Sequence, residues 1–208
     1  MKILIGTNNK NKYKNYEEAF QTYAPEVELV NTSDLGIVDD SEEDADSLLG
    51  NDIKKAKFFG EKSGLITVAD DTGLFVDALN GEPGLHAKRW HRGSDHDRCV
   101  KLLERLESKD RTARYKWGVA VYNPATKNIW TYECEVEGLI SDEFRDTGGF
   151  GYDKMFKMST MAKYYSELSK EELIENGGRG RAVKEIIFNS NFLNEIQSNE
   201  VNSKRAQF

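Results

Sequence analysis

Leu65-Ile66-Thr67-Val68-Ala69-Asp70-Asp71-Thr72-Gly73-Leu74-Phe75-Val76-Asp77-Ala78-Leu79 is the stretch on which the fold turns. An apolar, partly β-branched run leads into two adjacent carboxylates, a hydroxyl and a glycine, and a second apolar run follows. The first run predicts a buried strand. Its acids then fall at the strand's C-terminal end, where open α/β sheets hold ligands. Adjacent residues of an extended chain point to opposite sides. The two carboxylates therefore meet one ligand only if the chain bends, and Thr72-Gly73 is expected to supply the bend. Taken alone, the same residues also fit an acidic surface turn.

Upstream, Ile3-Leu4-Ile5 begins another buried strand. The small, polar Gly6-Thr7-Asn8-Asn9-Lys10-Asn11-Lys12 follows, and then Tyr13, Tyr16, Phe20 and Tyr23 recur at helical spacing up to Pro25. Strand, polar loop and helix N-terminus together make a phosphate cradle, in which free N–H groups, the helix dipole and a lysine act in one direction. The spacing is not that of a Walker loop. Val27 to Val30 reads as a short strand. The acids from Asp39 to Asp46 read as a solvated loop. A helix is expected from near Ser47, with Leu48, Leu49, Ile53, Ala56 and Phe59 inside and Lys54, Lys55 and Lys57 on or flanking the outside.

Downstream, Asn80-Gly81-Glu82-Pro83-Gly84 is rich in turn residues. His86, Lys88, Arg89, His91 and Arg92 concentrate positive charge that could face phosphates or a partner subunit. The five-residue spacing of His86, His91 and His96 suits a zinc site on neither a helix nor a strand. A third helix spans Asp95 to about Glu107. Tyr115–Tyr122 and Asn128–Glu137 form a long hairpin, with Trp130, Tyr132, Cys134 and Val136 alternating inward. Gly148-Gly149-Phe150-Gly151-Tyr152-Asp153 combines glycines, which let backbone approach a ligand, with an aromatic that can stack on a flat base. Asn176-Gly177-Gly178-Arg179-Gly180-Arg181 breaks a helical stretch. A final helix carries Ala182, Val183, Ile186 and Ile187, with Phe192 and Leu193 extending it.

The chain has 208 residues, 38% hydrophobic and 31% charged, with a net charge of −7. One domain over residues 1–197 with a polar tail at 198–208 accommodates that length. The acidic balance argues against a general nucleic-acid binder, which needs a basic footprint. No stretch approaches a membrane span or a signal peptide. Cys99 and Cys134 read as free thiols of a reducing cytosol, so the expected location is cytoplasmic.

In this order the segments resemble the noncanonical purine nucleoside triphosphate pyrophosphatases, often called inosine triphosphate pyrophosphatases, from Met1 to about Phe188. Thr7-Asn8-Asn9-Lys10-Asn11-Lys12 looks like the family's phosphate loop. Ala69-Asp70-Asp71-Thr72-Gly73-Leu74 is similar to its Asp-Asp-Ser-Gly-Leu core. Gly81-Glu82-Pro83-Gly84 with Arg89 is similar to another of its segments, and Arg179-Gly180-Arg181-Ala182 resembles its C-terminal Ser-His-Arg-Gly-x-Ala motif. Gly148 to Asp153 reproduces its Gly-Gly-Phe-Gly-Tyr-Asp motif and is the most specific match.

The resemblance implies an elongated α/β fold, a mixed sheet with flanking helices, and two lobes around a central nucleotide cleft. It implies hydrolysis of a nucleoside triphosphate to monophosphate and pyrophosphate with Mg²⁺, in what is usually a homodimer. Asp71 would be general base and metal ligand, with Asp70 beside it. Lys12 and the loop from Thr7 to Asn11 would hold phosphates. Thr72, Phe150, Gly151, Tyr152, Asp153 and Arg179 would complete the substrate site. The alternative is a nucleotide-binding member with altered base specificity or little catalysis.

Three departures from the family pattern stand out. A metal-binding glutamate in its Glu-Asn-Ala segment aligns with Gly50. Asp46 lies one helical turn earlier and is the expected replacement if the helix extends back that far, ahead of Glu43 and of Asp52, which would face elsewhere. A lysine aligns with Leu173, and the Ser-His pair aligns with Gly177-Gly178.

Overall fold

The computed structural model describes residues 1–145 and 148–188. The expected end of the domain at 197, the tail at 198–208, and Phe192 and Leu193 lie outside the described residues. The strands are β1 (Lys2–Ile5), β2 (Glu28–Asn31), β3 (Ile66–Val76), β4 (Pro83–Gly84), β5 (Thr112–Tyr122), β6 (Ile129–Ile140) and β7 (Phe156–Met158). The helices are α1 (Lys10–Tyr23), α2 (Leu48–Ser63), α3 (Asp95–Leu106), α4 (Lys170–Asn176) and α5 (Gly178–Phe188). The strands form one mixed sheet in the order β2-β1-β3-β5-β6-β7, with β4 added to β3. β1 is parallel to both β2 and β3, and the other pairings are antiparallel.

Two hydrophobic cores share the long strands β3 and β5. Val68 of β3 and Val119 and Val121 of β5 pack with Ile3, Ile5, Tyr16, Phe20, Val183 and Ile186 under α1 and α5. Leu74, Val76, Ala113, Tyr115 and Trp117 pack with Leu102, Met155 and Phe156 in the second core, beneath α3. Asp70, Asp71 and Thr72 lie on β3 between the two. The two-lobe expectation thus has a physical basis, with each lobe built on one end of the same strands.

The expected bend at Thr72-Gly73 is absent. β3 runs without interruption from Ile66 to Val76, and β5 pairs with it continuously from Thr67 to Val76. Its other edge is interrupted. β1 pairs only as far as Val68, and β4 resumes at Leu74. A five-residue gap therefore opens on that edge, spanning Ala69 to Gly73. A Cβ on Gly73 would collide with the Gly84 carbonyl of β4, so a glycine here permits the close crossing. The break expected over Asn176–Arg181 is also narrower than read. It falls at Gly177, and Gly178 to Arg181 form the first turn of α5.

Candidate active site

The polar loop before α1 sets the first component. Asn9 caps the helix, its Oδ1 accepting from the N–H groups of Asn11 (2.9 Å) and Lys12 (3.4 Å). Asn9 N–H donates to Thr7 Oγ1, and Asn8 Oδ1 accepts from Thr32. Lys10, Asn11 and Lys12 therefore form the helix's first turn rather than loop. From there Lys12 reaches into the gap on β3. Its ammonium donates to the Asp70 carbonyl (2.9 Å), left unpaired by the end of β1, and lies 3.3 Å from Asp70 Oδ2 and 3.4 Å from Asp71 Oδ1. Lys10 points to solvent.

Strand alternation separates the two carboxylates. Val68 faces α1 and α5, and Ala69 packs beneath α2 with Ala56. Asp70 and Thr72 consequently face α5, and Asp71 faces α2. Arg179, in the first turn of α5, donates to Asp70 Oδ2 (2.8 Å) and to Thr72 Oγ1 (3.0 Å). Burial opposes ionisation of Asp70, but Arg179 and Lys12 outweigh it and hold the carboxyl down at about 2. The Arg179 guanidinium also lies 5.8 Å from the centre of the Phe150 ring. Phe150, Gly151, Asn11, Asp95 and His96 line a cleft of about 550 Å³.

Tyr152 and Asp153 lie behind that cleft, not in it. The Tyr152 hydroxyl donates to the Ala87 carbonyl within the second core. Asp153 accepts from the Phe150 N–H (2.9 Å) and the Tyr115 hydroxyl (3.0 Å), clamping the glycine-rich loop. Burial pushes its carboxyl up to about 6. Asp95, which no sequence signal marked, accepts from the Gly151 N–H (2.8 Å) and holds the same loop from α3.

The α2 side differs most from expectation. The helix begins at Leu48, with Ser47 as its N-cap, so Asp46 lies outside it and is exposed. The helical-face argument for Asp46 fails with that boundary. Asp52 and Lys55 were read as facing elsewhere and outward, yet both are buried on the inner face, Asp52 completely and Lys55 at 6% exposure. The Lys55 ammonium is 2.9 Å from Glu43, whose other oxygen is 3.1 Å from Arg89. Burial works against the Lys55 charge, but Asp71 and Glu43 overcome it and raise its pKa. For Asp52, burial and then its neighbours Asp70 and Asp71 push the carboxyl well above the usual range.

Buried polar side-chain atoms without a hydrogen-bond partner gather here, namely both Asp52 oxygens, Asp70 Oδ1, Tyr16 Oη and Arg179 Nε. Orphaned carboxylate oxygens are the donors a hard divalent cation takes. Among the described residues no three His, Cys, Asp or Glu side chains form a ready-made cage. Mg²⁺ fits such a site, since one or two carboxylates and substrate phosphates commonly hold it. Mixed acids and cations at a strand gap, beside a helix N-terminus and an open cleft, define a phosphate-chemistry site on an α/β scaffold.

The Ham1 family model matches residues 3–188, and the chain belongs to this family. It is 37% identical over 177 residues to the dITP/XTP pyrophosphatase of Thermoanaerobacter sp. (strain X514), covering 83% of this chain and 87% of that protein. Identity to the dITP/XTP pyrophosphatase of Flavobacterium johnsoniae is 36% over 191 residues, with 90% and 96% covered. The Staphylococcus aureus Ham1 protein superposes with a TM-score of 0.76 at 29% identity, covering 96% of this chain and all of that one. Among the described residues no helix is long and apolar enough to cross a membrane.

Proposed function

We propose that this chain hydrolyses nucleoside triphosphates to monophosphates and pyrophosphate, acting on noncanonical purine nucleotides such as ITP, dITP or XTP. Mg²⁺ is the cofactor, and the working form is a cytoplasmic homodimer. The observation that carries the reading is Lys12, poised between Asp70 and Asp71 at the gap in β3, with its neighbour Asn11 on the lining of the Phe150 cleft.

The residues divide the work. Asp71 takes the proton of the water that attacks the α-phosphorus. Lys12 and Lys55 balance charge as it grows on the pyrophosphate leaving group. Asp70 orients Arg179 and Lys12 from the α5 side. Phe150 and the Arg179 guanidinium offer flat surfaces to the base. A divalent cation held by the site's carboxylate oxygens would neutralise phosphate charge and polarise the phosphoryl oxygens.

Base selection is looser here than the resemblance implies. A side chain at Gly178 would collide with the Trp117 ring, so the indole occupies the room a histidine would need. Leu173 lines a pocket beside Gly177 and Arg179 and brings no charge. The test is pyrophosphate release with Mg²⁺ from ITP, dITP, XTP, ATP, GTP and dUTP. The expected outcome is release from ITP, dITP and XTP, with ATP and GTP disfavoured by about tenfold to a few hundredfold, as differences of few contacts give. No release from any nucleotide at micromolar enzyme overturns the proposal.

A further inference from the structure

We propose that Asp52 and Asp71 together form the divalent-cation seat of this chain, with Asp52 taking the place left by the absent acid at Gly50. The inference deepens the pyrophosphohydrolase reading and rests on it. It is carried by geometry on the α2 side of the sheet. Gly118 of β5 is the direct cross-strand partner of Asp71. Directly opposed residues send their side chains to the same face, with Cβ atoms about 5 Å apart. A Cβ on Gly118 would collide with Asp52 Oδ2. The Asp52 carboxylate therefore occupies the place of the missing Gly118 side chain, next to Asp71 and on its face of the sheet.

No hydrogen bond from the described residues satisfies that carboxylate. Asp52 is 0% exposed, and neither oxygen has a hydrogen-bond partner. The cations nearby are committed elsewhere. Lys55 pairs with Glu43, and Lys12 lies between Asp70 and Asp71. Asp70 is turned to the opposite face, on Arg179. In its charged form such a buried carboxylate is unfavourable unless a cation uses it. Two carboxylates on one face, completed by phosphate oxygens of the substrate, match the oxygen-rich coordination of Mg²⁺ and Mn²⁺.

The local sequence fits this arrangement. A side chain at Gly50 would be directed at Ala45 and Ser47, so glycine lets the acidic segment before α2 lie across the helix's first turn. That segment is tied down by the Asn51 side chain, which accepts from the Ala45 N–H, and by the Lys54–Asp44 pair. An acid at 50 would therefore meet this segment, whereas an acid at 52 enters the sheet face through the room left by Gly118.

The test is Mn²⁺ binding in the presence of inorganic pyrophosphate, followed by electron paramagnetic resonance, for the wild type, Asp52→Asn, Asp52→Ala and Asp46→Asn. Circular dichroism checks folding, and the alanine variant serves if the asparagine variant does not fold. Asp52→Asn or Asp52→Ala is expected to weaken Mn²⁺ binding at least about tenfold, and Asp46→Asn to leave it within about twofold. A second expected sign is thermal. With EDTA the Asp52→Asn protein melts at or above the wild type, and Mn²⁺ with pyrophosphate then raises its midpoint less than it raises the wild type's.

Wild-type Mn²⁺ affinity in a folded Asp52 variant, or no Mn²⁺ binding by the wild type with pyrophosphate present, overturns the seat. Pyrophosphate release by the wild type, measured alongside, separates the two claims. Asp52-dependent Mn²⁺ binding without release from any nucleotide keeps the seat and removes the activity. Release with Asp52-independent binding does the reverse.

Discussion

At the scale of the residue, Asp71 and Asp153 show how one side-chain type meets opposite surroundings. Asp71 faces α2 at the gap in β3, with one oxygen 3.4 Å from Lys12. Asp71→Asn is therefore expected to lower pyrophosphate release by about 10²–10⁴-fold, the usual worth of a general base, with the urea midpoint preserved. Release at the wild-type rate would remove Asp71 from the mechanism. Asp153 clamps the glycine-rich loop through the Phe150 N–H and the Tyr115 hydroxyl. Its folded carboxyl titrates at about 6, whereas the unfolded chain releases that proton near pH 3.9. Between those values the folded state holds a proton that the unfolded state has lost. Stability from this group consequently falls as pH rises through the window and is level above it. The loss should be on the order of 2–3 kcal/mol. Urea unfolding of wild type and Asp153→Asn at about pH 4 and about pH 7 isolates it. The wild type's stability relative to the variant should decline between the two, and a pH-independent difference would reject the assignment.

At the scale of the element, legibility depended on whether local pattern or tertiary pairing decided the outcome. The apolar periodicities of α1 and α3 and the alternation of β6 placed those elements within a few residues. The motif from Gly148 to Asp153 was legible as a glycine-rich loop carrying an aromatic. Its division was not, because the Tyr152 hydroxyl and the Asp153 carboxylate are taken by Ala87 and Tyr115, partners more than thirty residues away. Asp70-Asp71-Thr72-Gly73 read as a turn because acids and glycine are poor strand formers. The continuous ladder to β5 overrides that preference, and Lys12 neutralises the exposed edge. On α2, charge was taken as a sign of the solvent side. Leu48, Asp52, Lys55 and Phe59 follow helical spacing and share the buried face. An acid and a lysine on the stripe of Leu48 and Phe59, in the helix leading into an Asp-Asp strand, was the available signal.

At the scale of the molecule, the site exists because two cores are threaded by the same strands. β3 is 11 residues long, roughly 36 Å at 3.3 Å per residue. Its Val68 end is fixed under α1 and α5, and its Leu74 end beneath α3. Lys12 comes from one lobe and Phe150 from the other, so their relation to Asp70 and Asp71 depends on both cores holding the strands in place. The lobes should therefore unfold together despite having separate apolar clusters. Val68→Ala and Leu74→Ala, one in each core and both fully buried, are each expected to destabilise the whole chain, by about 1–3 and 2–5 kcal/mol respectively. Calorimetry should show one transition in each variant, shifted downward, with calorimetric and van't Hoff enthalpies in agreement. Nucleotide binding should protect both equally, since the proposed site takes Lys12 from one lobe and Phe150 from the other. Two resolved transitions, with only one moved by Val68→Ala, would show that the lobes are independent and that the gap in β3 is not braced from both ends.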